Sequence, residues 1–134
     1  MLPKNGLEEC IAACWQARHG CQKTLFQHCL QKGGEHVAPA HVELMISCME
    51  ICQTAADAMT RGSPLHTSVT AACANVCDAC AGSCENIMCG EDKPCIEMQR
   101  VADLCRICAN ACRTIGQETF PIAGETLPEH PRMA

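Results

Sequence analysis

Along this chain, apolar and small residues recur in alternating steps of four and three in four separate stretches. In the first, the recurring positions are Cys10, Cys14, Ala17 and Cys21, with Leu25, His28 and Cys29 near its far end. The second reads His41, Met45, Cys48, Cys52, Ala55 and Met59, and the third His66, Thr70, Cys73, Cys77, Cys80, Cys84 and Ile87. The fourth reads Met98, Val101, Cys105, Cys108, Cys112 and Ile115. One residue every 3.5 positions or so lies along one seam of a helix, so each stretch is predicted to be a helix with a single buried face. The breaks carry helix-stop chemistry. Gly33-Gly34 ends the first stretch and Pro39 opens the second. Gly62 and Ser63-Pro64 separate the second from the third, with Ser63 or a neighbour as cap. Cys89-Gly-Glu-Asp-Lys-Pro-Cys95 forms a connector before the fourth. The pattern predicts an all-α fold, with helices at about 7–31, 39–61, 64–89 and 95–116. Short loops make this an antiparallel, up-down-up-down four-helix bundle with a Cys-lined core, spanning residues 1–116 as one domain. Pro121, Pro128 and Pro131 predict an extended or disordered tail over 117–134. Ile11, Trp15, Leu44, Ile51, Val69 and Val76 fall off the seams, at positions suited to packing between helices or between chains.

Composition changes the meaning of the seams. The 134 residues include 15 Cys and 7 Met, while the aromatics are only Phe26, Phe120 and Trp15. The seams therefore carry thiols where a core built for stability would carry Leu or Ile. A cysteine content this high commonly marks a small secreted disulfide scaffold. Here the count is odd, the spacing is helical, and no apolar leader precedes Cys10, so a cytosolic protein with free thiols is expected. Cys pairs one helical turn apart have Cβ atoms about 5–6 Å apart, too far for the roughly 3.8 Å of a disulfide. The net charge of -5 gives no electrostatic footprint for nucleic acid. No apolar run approaches membrane-spanning length.

One or two buried cysteines are ordinary small hydrophobes. About a dozen on four converging seams make a poor core by volume and a rich set of ligands. Thiolate and thioether are soft donors that select Cu(I), Zn(II) or iron–sulfur clusters. Structural zinc and iron–sulfur sites favour Cys-x2-Cys runs on turns and loops. The dominant spacing here is Cys-x3-Cys, at Cys10/Cys14, Cys48/Cys52, Cys73/Cys77, Cys80/Cys84 and Cys108/Cys112. Two sulfurs one turn apart grip a low-coordinate ion without bending the backbone, which suits Cu(I) best. Many ions per chain are expected, held by all fifteen cysteines: those above together with Cys21, Cys29, Cys89, Cys95 and Cys105. The competing expectations are a zinc or iron–sulfur protein, or a thiol redox protein. The last requires an exposed, low-pKa thiol, which a core ladder does not offer, so no enzymatic activity is expected.

The repeated Cys-x3-Cys, the Cys73-to-Cys84 ladder and Cys105-x2-Cys108-x3-Cys112 resemble the four-helix-bundle copper storage proteins over roughly residues 7–116. The resemblance implies a bundle core binding many Cu(I) ions, cytosolic storage and sequestration, and a homotetramer. It also implies Met and His near the bundle mouth. Antiparallel topology gathers Cys10, Met59, His66 and Cys112 at one end. The other end gathers His28, Cys29, His41, Met45, Met88, Cys89, Cys95 and Met98. That second end is richer in donors, and copper is expected to enter there, with His41, Met45 and Met98 as weak, exchangeable ligands.

Overall fold

The structure, a computed structural model, describes residues 2–117, with side chains from residue 6 onward. The expected tail falls at 118–134, outside the described residues, and Gln117 itself closes a helix. Four long helices account for most of the described chain. Helix α1 covers Leu2–Thr24 and continues through a π-helical turn, Leu25–Cys29, into a last α-turn, Leu30–Lys32. Helix α2 covers Pro39–Thr60, α3 covers His66–Glu85 and α4 covers Ile96–Gln117. Each packs against two others: α1 and α3 both flank α2 and α4.

The stops work as their chemistry dictates. Gly33 and Gly34 take positive φ after α1, a conformation that costs glycine nothing. A 3-10 turn, Gly34–Val37, then leads to Pro39 at the first position of α2. Two expectations need correction. Helix α3 starts at His66 rather than 64, and of the expected caps it is a neighbour of Ser63, Leu65, that stands at the N-cap position. Ser63 instead organises the preceding turn: its Oγ accepts the Leu65 N–H at 3.1 Å, and its carbonyl meets His66 Nδ1 at 2.8 Å. Helix α3 also stops at Glu85, four residues short of the expected Cys89. The chain there turns into an antiparallel hairpin of β1 (Met88–Gly90) and β2 (Lys93–Pro94), pairing Met88 with Pro94 and Gly90 with Lys93. Asp92 holds φ +54° in its turn. Gly-Glu-Asp before a proline favours a turn over another helical one, because Pro94 removes a backbone donor.

The π-helical turn matters for register. Cys29 lies eight residues from Cys21, one more than two helical turns, and the wider turn absorbs the extra residue. Leu25 and Cys29 are both buried as a result, and His28 is half-buried.

The core is unusual in content. Apart from Leu25, Met45, Met59, Ile87, Met98, Val101 and Ile115, its buried apolar side chains are all Cys or Ala. The seam positions without sulfur, Ala17, Ala55, Thr70 and Val101, are buried as well. On the surface, Arg106 bridges Glu85 at 2.8 Å and Asp78 at 3.1 Å, and Arg113 also contacts Asp78. These pairs tie α3 to α4, but exposed pairs of this kind contribute at most about 1 kcal/mol each.

Candidate metal centre

Thirteen cysteines are free, and every one of them is buried. Their Sγ atoms approach one another both within and between helices. Cys48–Cys52, Cys73–Cys77 and Cys108–Cys112 stand 4.0, 3.8 and 3.9 Å apart. Pairs between helices are as close or closer. Cys10–Cys112, Cys14–Cys112 and Cys52–Cys77 are each at 3.6 Å, and Cys48–Cys77 and Cys14–Cys108 at 3.7 Å. Sequence spacing revealed the within-helix pairs. The cross-helix pairs depend on how the helices meet and carry no local signal.

Three groups of four sulfurs have all members within 4.8 Å of one another. Cys21, Cys48, Cys80 and Cys105 form one, with a single thiol from each helix. Cys52, Cys73, Cys77 and Cys108 form the second, and Cys14, Cys73, Cys108 and Cys112 the third. Cys73 and Cys108 belong to two groups, so the sites adjoin. A metal–sulfur bond of about 2.3 Å puts sulfurs roughly 3.8 Å apart around a tetrahedral ion and about 4.0 Å apart around a trigonal one. The observed separations therefore need little adjustment. Cys77 and Cys80, the middle of the α3 ladder, are fully buried among these groups.

Protonation follows from burial and crowding. Burial, then the proximity of Cys80, pushes the Cys29 thiol up to about 11. The hydrogen bond with Cys112 lowers Cys10, but contact with Cys14 and burial outweigh it and carry that thiol up to about 12. Deeper in, contacts with Cys105 and with Cys112, respectively, hold Cys48 and Cys108 below the usual thiol range. Cys52 and Cys77, each first through Cys108, are pushed up in return, as are Cys105 through Cys21 and Cys112 through Cys10. Crowding thus drives neighbouring thiols in opposite directions, because a dry interior does not tolerate adjacent thiolates.

Towards the α1–α2 loop the donors change. Cys29 Sγ lies 3.6 Å from Met98 Sδ and 3.9 Å from His41 Nε2, while His41 Nδ1 meets Ser83 Oγ at 2.7 Å. His41 is buried, and desolvation followed by the charge of nearby His36 lowers its pKa, leaving a neutral imidazole. Met45 is fully buried one turn further along α2, and Cys84 is buried on α3. Cys89 and Cys95 depart from expectation. They form a disulfide across the hairpin, where the antiparallel pairing brings their Cα atoms to 4.7 Å, within reach of such a bond. His28 and His36 join them in a fourth group of donors. Neither histidine was assigned a ligand role from sequence, since the cluster forms only when two loops and a helix end come together.

The fold and site define a helical, thiol-cored protein for soft metal ions. The chain belongs to the copper storage protein family, whose model matches residues 3–117. It is 30% identical to the uncharacterized cysteine-rich protein YhjQ of Bacillus subtilis (strain 168), over 87% of this chain and 94% of that one. Among solved structures it resembles the Nmul_A1745 protein of Nitrosospira multiformis. That likeness has a TM-score of 0.77 and 38% identity, covering 84% of this chain and 96% of the other. It also resembles the Cu(I)-bound copper storage protein BsCsp3, with a TM-score of 0.72 and 30% identity over 83% and 98% of the two chains.

Proposed function

We propose that this protein stores copper by holding several Cu(I) ions per chain along the axis of an antiparallel, up-down-up-down bundle. The antiparallel reading is supported by Cys10 of early α1 meeting Cys112 of late α4, and by Cys29 of late α1 meeting Met98 of early α4. The ligands are the thirteen free core cysteines, with His41, Met45 and Met98 as exchangeable donors where copper enters. The observation that carries the reading is the sharing of Cys73 and Cys108 between adjoining four-sulfur groups. Closed tetrahedral zinc sites would compete for those two sulfurs. Cu(I), satisfied by two or three ligands, uses a shared thiolate as a bridge.

Thirteen free thiols persist in a reducing compartment, which supports a cytoplasmic location. Buried thiols are inert towards substrates, which supports a binding role rather than catalysis. Exposed apolar side chains such as Trp15, Ile96 and Ile107 offer contact area for the homotetramer that the family resemblance implies. Anaerobic Cu(I) titration against a strong competing chelator tests the assignment. Saturation at about ten or more ions per chain is expected, and saturation at one or two would overturn it. A visible chromophore in the protein as isolated would point to iron–sulfur instead.

A further inference from the structure

The fourth donor group differs from the other three in chemistry and in place. It combines two imidazoles, from His28 and His36, with the sulfurs of Cys89 and Cys95, and all four donor atoms lie within 4.8 Å of one another. His28 Nε2 is 3.2 Å and His36 Nε2 is 3.7 Å from Cys95 Sγ, and the two rings meet edge to face at 5.0 Å. Glu97 Oε1 stands 3.6 Å from Cys95 Sγ and 3.9 Å from His28 Nε2. His36 and Cys95 are buried, whereas His28 and Cys89 are half-buried. A cavity of about 270 Å³, bordered by Gly33, Glu35, His36, Met88, Cys89 and Gly90, opens the group to solvent.

We infer that His28, His36, Cys89 and Cys95, once their disulfide is reduced, form a mononuclear site for a zinc-class divalent cation, separate from the all-sulfur core. Two nitrogens and two sulfurs are the donor set of four-coordinate zinc. The mixture of borderline imidazole with thiolate shifts selectivity away from the softest ions. Bonds of about 2.0 Å to nitrogen and 2.3 Å to sulfur imply ligand separations of roughly 3.3 to 3.8 Å, so the imidazole nitrogens are already near their places, while the two sulfurs, joined in the disulfide, must part once it is reduced. Charge also balances. Two thiolates and two neutral imidazoles around a divalent cation sum to zero, which a half-buried site tolerates, and the half-exposed Glu97 carboxylate beside His28 lies outside this donor set.

The disulfide makes the site conditional. A cellular dithiol supplies two electrons and two protons, the Cys89–Cys95 bond becomes two thiols, and the reductant leaves as its own disulfide. The incoming cation then displaces both thiol protons into solvent. When filled, the site ties together the end of α1, the 3-10 turn, the hairpin and the start of α4. It does so independently of the copper-storage reading, using residues outside the core groups.

Zinc binding by the reduced full chain, compared with His28→Ala/His36→Ala and Cys89→Ser/Cys95→Ser variants and with the disulfide form, tests this. Zinc per chain is counted at each step, alongside hydrogen exchange across Met88–Pro94. The reduced parent should bind one zinc ion more than either variant or the disulfide form, and that ion should slow exchange in the parent hairpin alone. Equal zinc counts with no hairpin protection would overturn the inference. So would stoichiometric displacement of the hairpin zinc by one equivalent of Cu(I), which would make this a soft-ion site. The copper capacity of His28→Ala/His36→Ala, read in parallel, separates failure here from failure of the storage assignment.

Discussion

At the scale of single residues, two of the core thiols, one near each end of the sulfur axis, are defined by how reluctant they are to ionise. Cys29 and Cys10 stand near 11 and 12, above any physiological pH. Each copper ion they take must therefore displace protons, and affinity must rise with pH. Because both values lie above the accessible range, apparent Cu(I) affinity should climb steadily between about pH 6 and 8 without reaching a plateau. Chelator competition at several pH values, corrected for the chelator's own protonation, measures this. A flat profile would mean that the thiols are already ionised in the empty protein. His41 adds a pH-sensitive donor of a different kind. Its imidazole is kept neutral by burial and held by Ser83, so it offers Nε2 towards Cys29 without first losing a proton.

At the scale of helices, two glycines separate propensity from packing. A Cβ at Gly82 would meet nothing within 4 Å, whereas one at Gly116 would fall 3.1 Å from the Ala71 Cα and backbone N on α3. Gly82→Ala should therefore gain about 0.5–1 kcal/mol from helix propensity alone. Gly116→Ala should lose that gain to overpacking of about 1–3 kcal/mol. Thermal denaturation of the empty protein should give shifts of opposite sign, and a matching rise in both would show that α3 and α4 separate easily at that end. The helices themselves were readable from sequence because thiols at 3.5-residue intervals leave no other periodicity. Thr70 and Val101 were placed on the seam by the same rule and are buried. The π-helical turn and the hairpin were not readable. The first corrects a one-residue register offset between Cys21 and Cys29 that appears only once a helix is threaded through a packed core. The second arises where Gly90 and Pro94 interrupt a pattern that Ile87 still continued. The group of His28, His36, Cys89 and Cys95 was hidden for a related reason, since its members are brought together by loops rather than by spacing.

At the scale of the whole molecule, capacity and access are separable. Sulfur fills the axis, while Cys29, His41, Met45 and Met98 lie towards one end of it. His41→Leu with Met45→Leu should leave the total Cu(I) bound almost unchanged and slow its uptake or release. Stopped-flow transfer to and from a chelator tests this, and unchanged kinetics would place the port elsewhere. Among the described residues no helix is long and apolar enough to cross a membrane, so the metal is exchanged by a protein with no helical membrane span of its own in that region. The double membership of Cys73 and Cys108 has a consequence for how a population of chains fills. A first ion must strip protons from the reluctant thiols of its group, Cys52 and Cys77 or Cys112, and draw the sulfurs inward, which leaves the shared Cys73 and Cys108 already positioned for its neighbour. The second ion then arrives at a partly prepared position, so completion is easier than initiation. At half the saturating copper, native mass spectrometry should resolve mostly empty and mostly full chains, with few between. A binomial spread of occupancies would mean that each ion settles without regard to the last.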